Sequence, residues 1–369
     1  MASFELSDLA LKAVCPNNAL KLDDQGMPSV MVWVPNMRLC DVLNTEDTSC
    51  LPAFRVNGSE IDGFWFGKYQ THHYNGRAYS LPGEDPSASA TLDTFVSYNN
   101  AKVQDGMNWH EATNAEWAAI ALYCHKYGLE PYGNNNYGKD TRETLYKAIP
   151  TYISSSDESA GYHTDRVATG TGPITWSHDG TLEGIWDMNG NVWEWTTGLR
   201  LVYGELQIIK DNNASDPSCD LSATSAEWMA IDASTGDLIT PNGSGTTSGS
   251  VKLDYVSNKW TYSTSISNTT GSYGCTFANV TCDTTIGDDA KLLLQSLAML
   301  PDLTLTGDDI DTTYGNDYFY ANNAEAERCQ FRGGRWDGGA SAGVFSSYLD
   351  HARSATYTSI GGRSALIED

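Results

Sequence analysis

The sequence predicts an α+β domain in which short aromatic strands pack around one well-capped helix. Three observations carry this. A Thr-x-x-Glu box at Thr113 and Glu116 opens an alanine-rich helical pattern. Runs such as Met31–Pro35 and Gly63–Gln70 have the apolar or alternating aromatic pattern of buried strands. From about 205 to 325 the chain turns rich in Gly, Ser, Thr, Asn and Asp, with brief strand signals between loops. At 369 residues and 40% hydrophobic content, with eleven Trp and twenty Tyr, the chain can bury a large core.

Taken in order, residues 1–27 form an N-terminal segment with a short amphipathic helix, capped by Ser7, carrying Leu9 and Val14, and ended by Pro16. The main domain spans 28–369 and begins with the strand MVWVP, closed by Pro35, followed by GFWFGKYQ. The helical pattern runs from Asn108 to Gly128, a natural C-terminal glycine, and its alanine face with Ile120 and Leu122 should pack on a sheet. His110 and His125 border it without partners at ligand spacing, so surface or capping roles are expected for both. Pro131–Asp140 reads as a polar loop.

The string GIWDMNGNVWEW, Gly184 to Trp195, combines a turn at Asn189–Asn191 with a resumed strand. Asp187 and Glu194 allow two readings: a carboxylate pair for acid–base work, or acids that satisfy backbone N–H groups. The second is the expectation. The stretch at about 205–325 reads as an insertion in the same domain. It holds a flexible loop at Pro241–Ser250, exposed strands at VKLDYV and KWTYSTSI, and a helix from Asp288 to Leu300 stopped by Pro301.

A net charge of −25 repels phosphate backbones, so nucleic acid is not an expected partner. No apolar run reaches the eighteen residues of a membrane span, so no membrane insertion is expected. The start lacks a basic region followed by an apolar core, so no signal peptide is evident. Eight cysteines are scattered without a CxxC pair, which gives no expectation of a metal or cofactor and leaves a Cys275–Cys282 disulfide open.

The final segment, Arg332–Arg363, divides into two interleaved sets. One looks like scaffold and includes Trp336, Phe345, Leu349, Arg353, Ile360 and Arg363. The other shares no chemistry: Arg335, Asp337, Gly338, Ser341, Ser347, Tyr348, Asp350, His351, Ala355, Tyr357, Ser359 and Gly362. Such a mixture fits neither a buried strand nor an ordinary catalytic site. It fits a displayed binding surface in which Tyr348 and Tyr357 supply the contact area.

GIWDMNGNVWEW, the later RGGRW and the terminal Gly361–Arg363 resemble the formylglycine-generating-enzyme (sulfatase-modifying factor) branch of the C-type lectin fold. MVWVP, GFWFGKYQ and the Thr-x-Ala-Glu-Trp string at Thr113–Trp117 fit the same family in the same order, over roughly 28–200 and 326–369. The resemblance implies copper-binding cysteines between the RGG string and the terminal arginine, yet no cysteine follows Cys329. The three-histidine iron site of the related sulfoxide synthases is not reproduced by His72, His73, His110, His125, His163 and His178.

The pattern from Arg332 to Arg363 more closely resembles the variable proteins of diversity-generating retroelements. Those proteins keep the lectin-like fold and change exposed residues near their C-terminus by randomising adenines. Codons reached from Asn in this way exclude Lys, Glu, Gln, Met and Trp. These first four residue types total 41 of 369, yet none occurs in Arg332–Arg363. The resemblance therefore implies a non-enzymatic, ligand-binding display protein on a virion or cell surface, whose partner is a protein or other surface ligand on a target cell. The alternative is a formylglycine-generating-type oxidoreductase or an inactive relative of it. Oligomeric state stays open, although multivalent display would compensate for weak single-site affinity.

Overall fold

The computed structural model describes residues 2–154, 163–269 and 271–368. Helix α1 (Ala2–Val14) leads into β1 (Asn18–Leu22) and β2 (Pro28–Pro35). Ser7 lies inside α1, which corrects its expected place at the cap. Asp8 of this helix ties it to β1, its Oδ1 accepting from the Leu20 N–H at 2.8 Å.

Next come β3 (Gly63–Gly67), α2 (Leu92–Asn100), β4 (Met107–Glu111) and α3 (Asn114–Lys126). The helical pattern expected from Asn108 is thus split, because residues 107–111 pair with the strand Ser364–Glu368. The capping box forms as expected. Thr113 Oγ1 accepts from the Glu116 N–H at 3.1 Å, and Glu116 Oε2 accepts from the Thr113 N–H at 3.0 Å. Only Tyr123 and Lys126 of α3 escape burial, so the helix is enclosed by the core where one packed face was expected.

The remaining principal elements are β5 (Trp193–Val202), β6 (Glu205–Ile209), β7 (Lys252–Val256), β8 (Lys259–Ser263), β9 (Ser272–Thr276), α4 (Asp288–Ser296), β10 (Tyr318–Asn322), β11 (Arg328–Gly333), β12 (Gly343–His351) and β13 (Ser364–Glu368). Five strands form one antiparallel sheet in the order β1-β2-β3-β13-β4. The second sheet has twelve strands, and its main path runs β9-β10-β12-β11-β5-β6-β7-β8. The protein is therefore mixed α and β, mostly sheet with few helices.

The strands between 205 and 325 join this second sheet on both sides of β5, β11 and β12. VKLDYV and KWTYSTSI form the hairpin β7–β8, but they are not exposed: Leu253, Trp260 and Tyr262 are fully buried, and Tyr262 donates to the Met299 carbonyl at 3.1 Å. Loop composition disguised a core hairpin whose inner face packs toward α4. All eight cysteines are free thiols, including Cys275 on β9 and Cys282 beyond β8. One continuous apolar core draws on both sheets and α3, with Phe66, Trp117, Leu201, Trp260 and Leu349 among its members.

Candidate functional site

The site is built on a rigid frame. Arg363 is fully buried and forks onto Glu194, with Nε–Oε2 at 2.6 Å and Nη2–Oε1 at 2.7 Å. It also donates to the Gly67 and Trp186 carbonyls at 2.9 and 3.0 Å. Glu194 is thus a structural anchor for the end of the chain. Burial pushes its carboxyl upward, against the pull of the Arg363 charge. Asp187 sits apart from it, accepting from the Gly170 N–H at 2.8 Å, and burial pushes its carboxyl up to about 6.

Arg353 lies at the surface edge and pairs with Glu327 at 2.8 and 2.9 Å and with Asp93 at 2.8 Å. Trp336, Phe345, Leu349 and Ile360 are all buried. The loop at 131–140 braces the segment from outside, because Asn135 and Trp336 carbonyls accept from the Gly339 and Tyr137 N–H groups, each at 2.8 Å.

Strand register then sets the face. Tyr320 of β10 stands opposite Tyr348 of β12, Tyr348 opposite Phe331 of β11, and Phe331 opposite Trp195 of β5. Four aromatic rings therefore form a cross-strand row on one face, running from half-exposed Tyr320 and Tyr348 down to buried Phe331 and Trp195. On β9 the residue opposite Tyr320 is Gly274, where an added Cβ would lie 2.2 Å from the Tyr318 ring. Trp193 packs beside Tyr348, their ring centroids 4.3 Å apart.

A register shift follows Tyr348: Phe331 pairs with Tyr348, but Cys329 pairs with His351. The extra residue on β12 brings both Asp350 and His351 to the side of Tyr348. His351 Nδ1 meets Asp350 Oδ1 at 2.7 Å, and Tyr357 lies edge-on to the His351 ring. Arg335 pairs with Asp337 across the opening. Together these groups enclose a cavity of about 380 Å³ floored by Trp193, Phe331 and Tyr348.

Of the twelve residues expected to be displayed, Arg335, Asp337, Gly338, Ser341, Tyr348, Asp350, His351, Tyr357 and Ser359 line this one cavity. The expectation needs correction at four positions. Ser347 is fully buried because β12 alternation turns it to the core, where it bonds Gln330 at 2.9 Å. Gly362 is buried, and a Cβ there would stand 2.0 Å from Glu111 Oε1, so it cannot vary freely. Ser359 touches the cavity but is only 5% exposed. Ala355 does not line the cavity; it packs against the cluster of Trp193 and Phe331. Tyr348 is only half-exposed, and burial pushes its hydroxyl up to about 12.

Sequence reasoning missed the part of the floor that lies outside Arg332–Arg363, namely Trp193, Phe331 and Tyr318. The alternation of Tyr318 and Tyr320 in DYFYAN was the available signal.

No family model and no curated protein matches the chain. Among solved structures it is similar to the Major Tropism Determinant P3c and U1 variants, each at 10% identity and a TM-score of 0.31. It is also similar to the I1 variant, at 10% identity and a TM-score of 0.29. In each case 95% of this chain and 72% of the other is covered.

The two histidines, for which surface or capping roles were expected, are both buried, which corrects the surface reading. His110 Nε2 meets Glu116 Oε1 at 2.8 Å, and His125 stacks on Tyr314 with centroids 3.8 Å apart. The alanine-rich helix draws both into the core. His125 borders a second cavity, of about 200 Å³, behind residues 340–345. There Asp317 accepts from the Phe345 N–H at 2.7 Å, and burial pushes its carboxyl up to about 8. Burial likewise pushes neighbouring Glu130 up to about 7.

A carboxyl raised on folding binds more protons folded than unfolded, so its contribution is complete below about pH 4 and is lost as pH rises through its folded value. Stability should therefore fall from about pH 4 to about pH 8 and level off above that. Asp317→Asn should flatten that slope in urea melts taken across the window; an unchanged slope would remove Asp317 as its source.

Proposed function

We propose that the protein is a ligand-binding display protein whose binding face is the cavity bounded by Arg335, Asp337, Tyr348, Asp350, His351 and Tyr357. The supporting observation is convergence: residues with no common chemistry, scattered over 335–359, meet around one opening while the interleaved anchors lie beneath. An anchored backbone under adaptable side chains is what a changeable paratope needs. The formylglycine-type lectin subtype, diversification by a retroelement, and display on a virion or cell surface to engage a host-surface receptor belong to this reading. The alternative oxidoreductase lacks support in the residues, since no cysteine borders the cavity and none follows Cys329.

The gene supplies one test. A reverse-transcriptase gene nearby, with a near-copy of the segment encoding 332–363 that differs only at adenines, is the expected finding. Copies differing evenly along 28–200 would overturn the diversification. The protein supplies another. Tyr348→Ala with Tyr357→Ala should reduce retention of labelled protein on target bacterial cells at least thirtyfold, as loss of a central aromatic anchor of about 2 kcal/mol would. Tyr357→Ala alone should leave the melt unchanged, because that ring is 50% exposed. Undiminished retention by the double variant would move the site elsewhere. Conversion of a cysteine-containing sulfatase peptide to its aldehyde would replace the reading with the enzymatic one.

A further inference from the structure

Resting on the binding-face reading, we infer that the cavity accepts a cationic side chain, lysine or arginine, presented by the partner protein. The lining groups supply the argument. Its floor is aromatic and its opening carries one arginine against two aspartates, a formal charge of −1. That arginine, Arg335, is already engaged by Asp337. Asp350 meets the His351 ring, and apart from Arg335 no lysine or arginine lines the cavity.

An incoming carboxylate or phosphate would face Asp350 without a free cation to receive it, and it would approach a protein of net charge −25. An ammonium or guanidinium group meets the opposite situation. It can settle on the half-exposed faces of Tyr318 and Tyr348 and reach the Asp350 carboxylate, and the same long-range field draws it in. The floor also separates two roles. Trp193, Tyr318 and Phe331 lie outside the changeable segment, so an aromatic floor would persist from copy to copy, while Asp350 gives this copy its preference for a cation and Arg335 and Tyr357 adjust which basic residue is chosen.

Saturation-transfer NMR on the full chain tests this with a matched pair of probes: Nα-acetyl-arginine methylamide and its neutral isostere Nα-acetyl-citrulline methylamide. The arginine probe should give a saturable signal at least tenfold stronger in apparent affinity than citrulline. Asp350→Asn and Tyr348→Ala should each abolish that preference. Asp308→Asn, which removes the same charge from an exposed remote loop, should retain it. Equal responses to the two probes, silence toward both, or a preference that survives Asp350→Asn would each overturn the inference. Cell retention that remains sensitive to the Tyr348 and Tyr357 changes in those cases would leave the binding face standing. Insensitivity there as well would remove both.

Discussion

Arg363→Met should destabilise the protein by about 3–5 kcal/mol, read as a fall in the urea midpoint with the slope unchanged. The size follows from what is stranded. Arg363 and Glu194 are 0% and 1% exposed, so the variant leaves a carboxylate enclosed with only Gln70 Nε2 to donate to it. The Gly67 and Trp186 carbonyls lose their donors at the same time. Both sheets feel the loss, because Glu194 lies on β5 and Gly67 on β3. The double variant Arg363→Met, Glu194→Leu should recover part of the loss by removing the buried charge itself. A single variant within about 1 kcal/mol of the parent would show that solvent reaches the pair and that it is not a structural anchor.

Trp117→Ala should cost a similar amount, about 3–5 kcal/mol. The indole is fully buried and its Nε1–H donates to the Val344 carbonyl at 2.7 Å, tying α3 to β12 directly. Truncation removes the apolar volume and leaves that carbonyl facing a void. Because Gly333 also approaches the ring, the void would open beneath the start of the site loop. Binding by this variant should weaken even under conditions where it stays folded. Normal affinity in a destabilised protein would mean that α3 supports the fold without positioning the face.

Local chemistry explains which parts of the site could be read in advance. The capping box at Thr113 and the anchors Trp336, Leu349 and Arg363 declare themselves through spacing and residue type. Their partners lie where hydrogen-bonding demand puts them. Ser347 could not be placed from composition, because its burial depends on strand parity fixed by β10 and β11, far away in sequence. His351 escapes that parity only through the register shift after Tyr348, for which a single sequence holds no mark. Trp193, Tyr318 and Phe331 were legible as strand residues. Only the order of strands reveals that three separate segments supply one floor. The hairpin at 252–263 was misread for a related reason: its polar loops dominate the composition, while its burial is decided by neighbours.

The position of β13 has a consequence for quality control. This strand comes directly after Arg363, yet it is interior to the five-stranded sheet, between β3 and β4. A truncation or frameshift anywhere in 332–363 would lose it. The edges of β3 and β4 and the core space filled by Ala365, Leu366 and Ile367 would then go unmatched. Such a product would be a substrate for proteolysis. On the proposed reading of a diversified segment, folding itself would audit each copy, passing those that were read to the end.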